Sequence, residues 1–293
     1  MLSPFLRRAF LMQMLMALTV FSGKAQECCA VQECGCSQTQ PDSISASPRV
    51  VQKEWVWGLG RANVLDTYLS PLEYTGPDFM LYHTTRRDTH WGGGRWKAVA
   101  DYTVHFAYLD SPTDDGRELD TEISAAGGLV HEWHPAPQWR LSAGGLVEGS
   151  GGGTYNTRNA NNPAQGRLGL QLEATAQAEW TFRLCRKTGT LSLRADVPLT
   201  GVQFSPQYGQ SYYEIFSLGH TGGIIHFTHP GNVPSVRLQA QAVLPLWGAH
   251  LSLGYMGDVR QSKLGGLRRH AWRNGFFIGF RRTLHLLRGG SKN

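Results

Sequence analysis

Beyond its N-terminal region, the sequence has no long apolar run. No later stretch approaches the 18 or more apolar residues that a spanning helix needs, which excludes a helical membrane protein. Charged residues are also scarce, at 17% of 293 residues, where a soluble domain has about 25%. Aromatic residues make up 11% of the chain, which excludes a disordered protein.

Acidic residues are absent from the C-terminal end. No Asp or Glu follows Asp258, whereas nine Lys and Arg residues do. The net charge of +6 includes three cations near the N-terminus, and without them about +3 remains. The excess of positive charge is therefore a local patch, and we predict no nucleic-acid partner.

Residues 1–25 have the three parts of a secretory signal peptide. Arg7 and Arg8 supply the positive start, residues 9–21 are mostly apolar, and residues 23–25 include the small residues of a cleavage site. The apolar part is too short for a membrane anchor. The sequence thus predicts an exported protein.

Four of the five cysteines lie in a polar segment that follows, residues 26–49. Cys28, Cys29, Cys34 and Cys36 allow three disulfide pairings, and the spacing does not choose among them. Close thiolates can also hold zinc. An oxidising compartment favours disulfides, so we predict possible disulfides here and neither a metal nor a cofactor.

From residue 50 onward, apolar and polar residues alternate. Between Arg167 and Leu184 nearly every second residue is apolar and the intervening ones are mostly charged or amides. Successive strand side chains point to opposite faces, so such a segment has one apolar and one polar face. The same pattern recurs around Trp96–Tyr108, Glu118–Leu129 and Val236–Leu244.

Two architectures have alternating strands, a soluble sandwich and an outer-membrane barrel. The alternating runs reach the nine to eleven residues that a tilted spanning strand needs, and the export signal agrees with the barrel. Aromatic residues stand near the ends of the runs, as in an interfacial girdle. These are Trp55, Trp57, Trp96, Tyr108, Trp133, Trp139, Trp180, Trp247 and Trp272. We predict an all-β, transmembrane, antiparallel up-and-down barrel over residues 50–288, a tail at 289–293, and the Gram-negative outer membrane as its location.

Loop lengths predict about 12 strands, beginning at Glu54 and ending near Leu286. Bacterial barrels have even strand numbers, short periplasmic turns and longer outer loops. Residues 212–218 and 224–228 are short for spanning strands, so 10 or 14 strands remain open.

Two segments resemble a known family. Residues 57–76, WGLGRANVLDTYLSPLEYTG, open the barrel region, and residues 253–270, LGYMGDVRQSKLGGLRRH, come near its close. Together they resemble uncharacterised exported proteins from Bacteroidota that share a domain of unknown function, over roughly residues 55–280. Relatives tend to carry Asn where this chain has Gly265 or Gly266. The resemblance implies a bacterial membrane barrel and supplies no catalytic residue.

The charged face of the predicted strands is expected to line the barrel interior. Its members are Lys97, Asp101, Glu118, Asp120, Glu122, Glu132, Arg140, Glu148, Glu173, Glu179, Arg183, Arg194, Asp196, Arg237 and Arg281. Mixed charges could select small polar solutes in a water-filled channel. Alternatively, salt bridges fill the interior, as side chains fill small barrels.

A basic cluster is predicted in the last outer loop. Lys263, Arg268, Arg269 and Arg273 could contact the phosphates of lipopolysaccharide there, since Arg pairs well with phosphate. A solvated loop is the alternative.

No catalytic constellation emerges from the sequence. We therefore predict a non-enzymatic barrel, either a narrow polar channel or an envelope component at the membrane. The alternative is a lipid-acting enzyme, a hydrolase or acyltransferase of phospholipid or lipid A, in which His270 and Asn274 would take part.

Overall fold

The computed structural model describes residues 49–159, 162–184, 187–246 and 249–286. The predicted signal peptide, the four clustered cysteines and the C-terminal tail lie outside these ranges. None of the helices in the described ranges is long and apolar enough to cross a membrane.

Strands make up most of the described chain. They are β1 (Arg49–Asp66), β2 (Tyr74–Asp88), β3 (Trp96–Asp110), β4 (Arg117–Ala136), β5 (Trp139–Asn156), β6 (Ala164–Leu184), β7 (Lys187–Phe204), β8 (Ile225–Thr228), β9 (Val236–Leu246), β10 (Ala249–Leu264) and β11 (Leu267–Leu286). A short helix, α1 (Tyr212–Phe216), and one 3-10 turn (Trp91–Gly94) complete the described elements.

Ten of these strands close into an antiparallel barrel. Each pairs with its neighbours in the order β1 to β7, then β9, β10 and β11. The barrel closes because all 18 residues of β1 pair with β11, from Arg49 opposite Leu286 to Asp66 opposite Arg269. The eleventh strand, β8, pairs only with the last four residues of β7. The predicted all-β antiparallel barrel is confirmed.

The barrel has ten strands, which is one of the alternatives left open and not the favoured number of 12, and the two segments noted as short account for the difference. Residues 212–216 form α1 because Ser211 and Glu214 make a capping box, in which each side chain accepts a hydrogen bond from the other's backbone N–H. Residues 225–228 form β8, which is far shorter than the nine to eleven residues of a spanning strand.

The two ends of the barrel differ. At the terminal rim, where β1 begins and β11 ends, β4 and β5 are joined by residues 137–138 alone. At the loop rim, β7 and β9 are separated by residues 205–235, which include α1 and β8. The loop rim also has one two-residue hairpin, Gly265-Gly266 between β10 and β11. Both glycines have positive φ, 57° and 80°, as a type I′ turn requires.

The alternation of each strand decides which side chains enter the barrel. Along β1 the even-numbered residues are mostly buried, and the odd-numbered ones are mostly exposed on the outer wall. The wall is therefore apolar, with Leu59 and Phe276 72% and 75% exposed. Most of the buried charged side chains of the described chain lie on the inner face.

Candidate functional site

The barrel interior holds the densest collection of charged groups in the described chain. Fourteen of the fifteen residues predicted to line it are buried or half-buried at inward-facing positions. They are Lys97, Asp101, Glu118, Asp120, Glu122, Glu132, Arg140, Glu148, Glu173, Glu179, Arg194, Asp196, Arg237 and Arg281. Arg183 differs, because it is exposed near the terminal rim.

Asp120 is the centre of the network nearest the loop rim. One of its oxygens lies 2.7 Å from Arg167 Nη2, and the other lies 2.5 Å from Arg273 Nη2. Thr154 donates a third hydrogen bond to this carboxylate. Arg273 also reaches Glu122, at 3.2 Å, and is only 1% exposed. Because β4 and β11 are not neighbours, the Asp120–Arg273 pair reaches across the interior.

A second group of ion pairs continues the network deeper into the barrel. Arg260 on β10 holds Glu148 on β5 through both oxygens, at 2.8 and 3.2 Å. Arg260 also contacts Asp258 at 3.0 Å, and Arg237 lies 3.1 Å from the same Asp258. The Arg260–Glu148 contact again joins strands on opposite sides of the barrel, whereas Asp258 lies on β10 itself and Arg237 lies on the neighbouring β9.

A buried histidine lies beside this network. His105 Nδ1 is 2.9 Å from Asp78, and its Nε2 is 3.8 Å from Asp258. All three side chains are almost fully buried. The arrangement anchors the ring between two acids, and burial keeps it away from any substrate.

An apolar layer lies on one side of the interior. Val56, Met80, Tyr82, Met256 and Phe277 come from β1, β2, β10 and β11 and pack as one buried cluster. Gly58 lies against this layer, and a Cβ there would be 2.5 Å from Met80 Cε. This apolar layer reduces the free space between the ion-pair network and the terminal rim.

Below the apolar layer, another ion pair crosses the interior. Arg194 on β7 is 2.5 Å from Asp101 on β3, and it also bonds Asp196 and the Tyr82 hydroxyl, at 2.9 and 2.8 Å. Glu54 meets Arg281 at 3.0 Å and accepts a hydrogen bond from Ser252.

A small cavity of about 50 Å³ lies in the half of the barrel nearest the terminal rim. Much of its lining is neutral, with hydroxyl and amide side chains beside a few ion pairs. Its neutral polar members are Gln52, Tyr82, Thr84, Ser142, Thr175, Gln177, Ser192, Gln239 and Gln241. A second cavity of the same size, about 50 Å³, lies beside the network of the other half, against β5 and β6.

Loops from opposite sides meet over the loop rim. Tyr68, after β1, donates a hydrogen bond to Gln210 O at 3.0 Å, and its ring meets that of Tyr212 edge to face at 5.8 Å. The Tyr212 hydroxyl in turn accepts from Gly166 N on β6 at 2.6 Å. Burial, with a smaller effect of Tyr212, raises the pKa of Tyr68 to about 12. The segment 205–235 thus spans the mouth of the barrel.

The predicted basic loop requires correction. Lys263, Arg268, Arg269 and Arg273 belong to β10 and β11, because the connecting loop is only Gly265-Gly266. Arg269 and Arg273 face inward and pair with Asp120, so neither can meet a lipid headgroup. Lys263 and Arg268 point outward and are exposed.

Several members of the network were missed by the sequence analysis, namely Asp66, Asp78, His105, Arg167, Asp258 and Arg260. Near Arg268, charged side chains lie on both faces of β11. The alternation of apolar and polar residues is therefore not visible in that part of the sequence. Phe276, Ile278 and Phe280 share the outward parity of that strand. Arg269 and Arg273 have the opposite, odd-numbered parity. Counting back along β11 from these three residues would therefore have placed both arginines inside the barrel.

The outer wall contains little that resembles a catalytic group. His270 Nε2 is 3.0 Å from Asn63 Oδ1 and 3.5 Å from Glu73. Asn274 accepts a hydrogen bond from the Tyr255 hydroxyl at 2.8 Å. In the described ranges, no hydroxyl or thiol nucleophile hydrogen-bonds to His270, and no group of three His, Cys, Asp or Glu side chains could hold a metal ion.

The closed barrel, with its apolar wall and charged interior, has a fold that resembles Gram-negative outer-membrane β-barrels. The chain belongs to the DUF3316 family of proteins of unknown function, whose profile matches residues 11–291. No curated protein matches the sequence.

Three solved structures illustrate this similarity. The outer-membrane protease OmpT from Escherichia coli shares 7% identity with a TM-score of 0.46, over 83% of this chain and 99% of that one. The transport unit of the autotransporter AIDA-I, also from Escherichia coli, shares 9% with a TM-score of 0.41, over 92% and 97%. The COG4313 outer-membrane channel from Pseudomonas putida F1 shares 8% with a TM-score of 0.31, over 84% and 100%.

Proposed function

We propose that this chain is an integral outer-membrane barrel of a Gram-negative bacterium, exported through its N-terminal signal. The terminal rim faces the periplasm and the loop rim faces outward, as is usual for barrels with an even strand number. We also assign it to Bacteroidota, on the resemblance of residues 57–76 and 253–270. The apolar outer wall supports a membrane position, because a soluble protein rarely exposes such a surface.

An aromatic girdle near the terminal rim supports the same position. Trp55 stacks on His83 at 4.1 Å, and the Trp139 and Trp180 rings are 6.4 Å apart on the outer wall. Trp96 meets His131 edge to face. Amphipathic rings of this kind collect where hydrocarbon meets the headgroups.

The barrel serves as a closed envelope component, without enzymatic activity and without an open pore. The observation that carries this proposal is the set of ion pairs that cross the interior. Asp120–Arg273, Glu148–Arg260 and Asp101–Arg194 each join strands that are not neighbours. The segment 205–235 adds a cover over the outer mouth.

Conductance across a planar lipid bilayer tests this function. The refolded wild-type protein is expected to insert and remain electrically silent. The double variant Glu148→Ala/Arg260→Ala removes a crossing pair without leaving an unpaired charge of that pair, and it should conduct in discrete steps. The matched control is Arg140→Ala/Glu179→Ala, whose pair joins neighbouring strands at 2.6 Å along the wall.

The control variant should stay silent as the wild type does. Reproducible conductance steps from the wild-type protein would contradict the closed barrel. They would favour the alternative function, a narrow channel for small polar solutes. Failure of the wild type to insert would overturn the membrane position itself.

A further inference from the structure

Two cations face each other on the outer wall at the loop rim. Lys263 and Arg268 are direct partners across the β10–β11 hairpin, one residue from the pair that flanks the Gly265-Gly266 turn. Their backbone N–H groups point away from each other, to Asn232 O and to Thr67 Oγ1. Such a non-hydrogen-bonded pair is the closer kind, with Cα atoms about 4.5 Å apart.

Nothing in the described chain compensates these two charges. Both side chains are exposed, and neither makes an ion pair with a described residue. Like charges directly opposite each other destabilise a sheet. An anion that bridges both side chains would turn this repulsion into attraction.

A third cation lies on the same side of the barrel but closer to the apolar wall. Arg61 on β1 is exposed and points outward, and it also lacks an ion pair with any described residue. It pairs with Asn274, which pairs in turn with Gly257 on β10. Leu59 and Phe276 are exposed and lie two residues from Arg61 and Asn274 along their strands, toward the terminal rim.

The three cations therefore stand at two heights. Lys263 is six residues beyond Gly257 on β10, which is about 20 Å along the strand. The usual strand tilt of about 40° leaves roughly 15 Å along the membrane normal. A glycerophospholipid has its phosphate in a single layer, whereas a lipopolysaccharide has phosphates on lipid A and further anionic groups on its core sugars.

The surface between the two heights suits sugar rings. Trp272 and His270 stack there at 4.6 Å, beside Asn63 and Gln261. Aromatic faces and amides are common partners of saccharides. One carboxylate, Glu73, lies in this region, held by Asn63 and His270.

We propose that this outer face of β10, β11 and β1 binds lipopolysaccharide. Arg61 receives a lipid A phosphate, and Lys263 with Arg268 receives an anionic group of the core. The acyl chains lie along Leu59 and Phe276. This binding site rests on the proposed membrane position and does not depend on a closed interior.

Lipid binding to the full chain in detergent micelles, followed by native mass spectrometry, tests the proposal. The probes are lipopolysaccharide with a phosphorylated core, lipid A alone, and phosphatidylglycerol. We expect lipopolysaccharide to bind most tightly. Lys263→Gln/Arg268→Gln should weaken it about tenfold, as expected for lost charge-assisted contacts, and leave lipid A unchanged. Arg61→Gln should weaken both.

The barrel contains a matched control. Lys53 and Arg282 form another cross-strand pair of exposed cations on the outer wall, but at the terminal rim. Lys53→Gln/Arg282→Gln should leave lipopolysaccharide binding unchanged. An equal loss in both double variants would overturn the site and indicate general attraction of charge.

Equal affinity for lipopolysaccharide and phosphatidylglycerol would overturn the proposal as well. Insertion into vesicles and a heat-dependent shift in gel mobility are measured on the same samples. A protein that inserts and folds yet fails these binding tests refutes the lipopolysaccharide site alone. A protein that does not insert refutes the membrane position and, with it, this site.

Discussion

The two halves of the barrel interior accommodate polar groups in different ways. Toward the loop rim, arginines and carboxylates neutralise one another, and Arg273 is 1% exposed between Asp120 and Glu122. Toward the terminal rim, hydroxyl and amide groups line much of a cavity of about 50 Å³. The two halves thus differ in the chemistry of their polar groups, which are charged and mutually paired in the first half and largely neutral in the second.

This difference has an energetic consequence. A buried ion pair adds little net stability, because the cost of desolvation offsets the attraction between the charges. Removal of one partner is costly, because it leaves the other charge buried and uncompensated. The loop half should therefore tolerate single substitutions poorly, whereas the terminal half should tolerate them well at its neutral hydroxyl and amide positions, though not at the buried Arg194.

The largest expected effect comes from a single arginine in each half. Arg273→Ala leaves Asp120 and Glu122 short of a cation and should lower the free energy of unfolding by about 3–5 kcal/mol. Arg281→Ala, beside the cavity, should cost less, about 1–3 kcal/mol, because Ser252 still donates a hydrogen bond to Glu54. Urea unfolding in lipid vesicles, followed by tryptophan fluorescence, measures both, and equal losses would contradict the comparison.

A smaller effect is expected from added volume. A Cβ on the inward-facing Gly152 would lie 2.3 Å from Thr121 O, so Gly152→Ala should cost about 1–3 kcal/mol. Thr175→Ile, which extends into the cavity, should cost less than about 1 kcal/mol. Gly149→Ala is the control, since nothing lies within 4 Å of its added carbon. A neutral Gly152→Ala would show that the loop half is loosely packed.

The smallest effect concerns the cover over the loop rim. The pKa of Tyr68 is raised to about 12, so the unfolded chain loses this proton at lower pH than the folded one. The contribution of Tyr68 is present below pH 10 and is lost as the pH rises through about 12. The protection of residues 205–217 from hydrogen exchange, relative to the intrinsic base-catalysed rate at each pH, should fall over this range in the wild type and much less in Tyr68→Phe. Identical pH profiles would exclude this role of Tyr68.

The strand faces could be predicted wherever one face is uniformly apolar. The alternation from Leu168 to Phe182 sufficed to place Glu173 and Glu179 inside, because the period of a strand is two. Strand number was harder to predict. The sequence pattern predicts a short strand over residues 212–218, whereas Ser211 and Glu214 carry the signature of a helix start.

The ion pairs themselves could not be predicted. They join residues far apart in sequence, such as Glu148 and Arg260, and depend on which strands face each other across the closed barrel. Pairing of neighbouring strands follows from chain order, but contacts across the interior depend on strand number and tilt. An expectation of 12 strands would have put different residues opposite one another.

The seam between β1 and β11 has a consequence for the order of assembly. Its 18 pairs join the first and last strands, so they form only after the whole chain is available. Until then β1 keeps one unpaired edge, and unsatisfied backbone groups cost several kcal/mol each in hydrocarbon. Truncation before β11 should therefore abolish stable insertion altogether. In the proposed membrane position, assembly of this barrel therefore requires protection of the open edge of β1 until β11 is available.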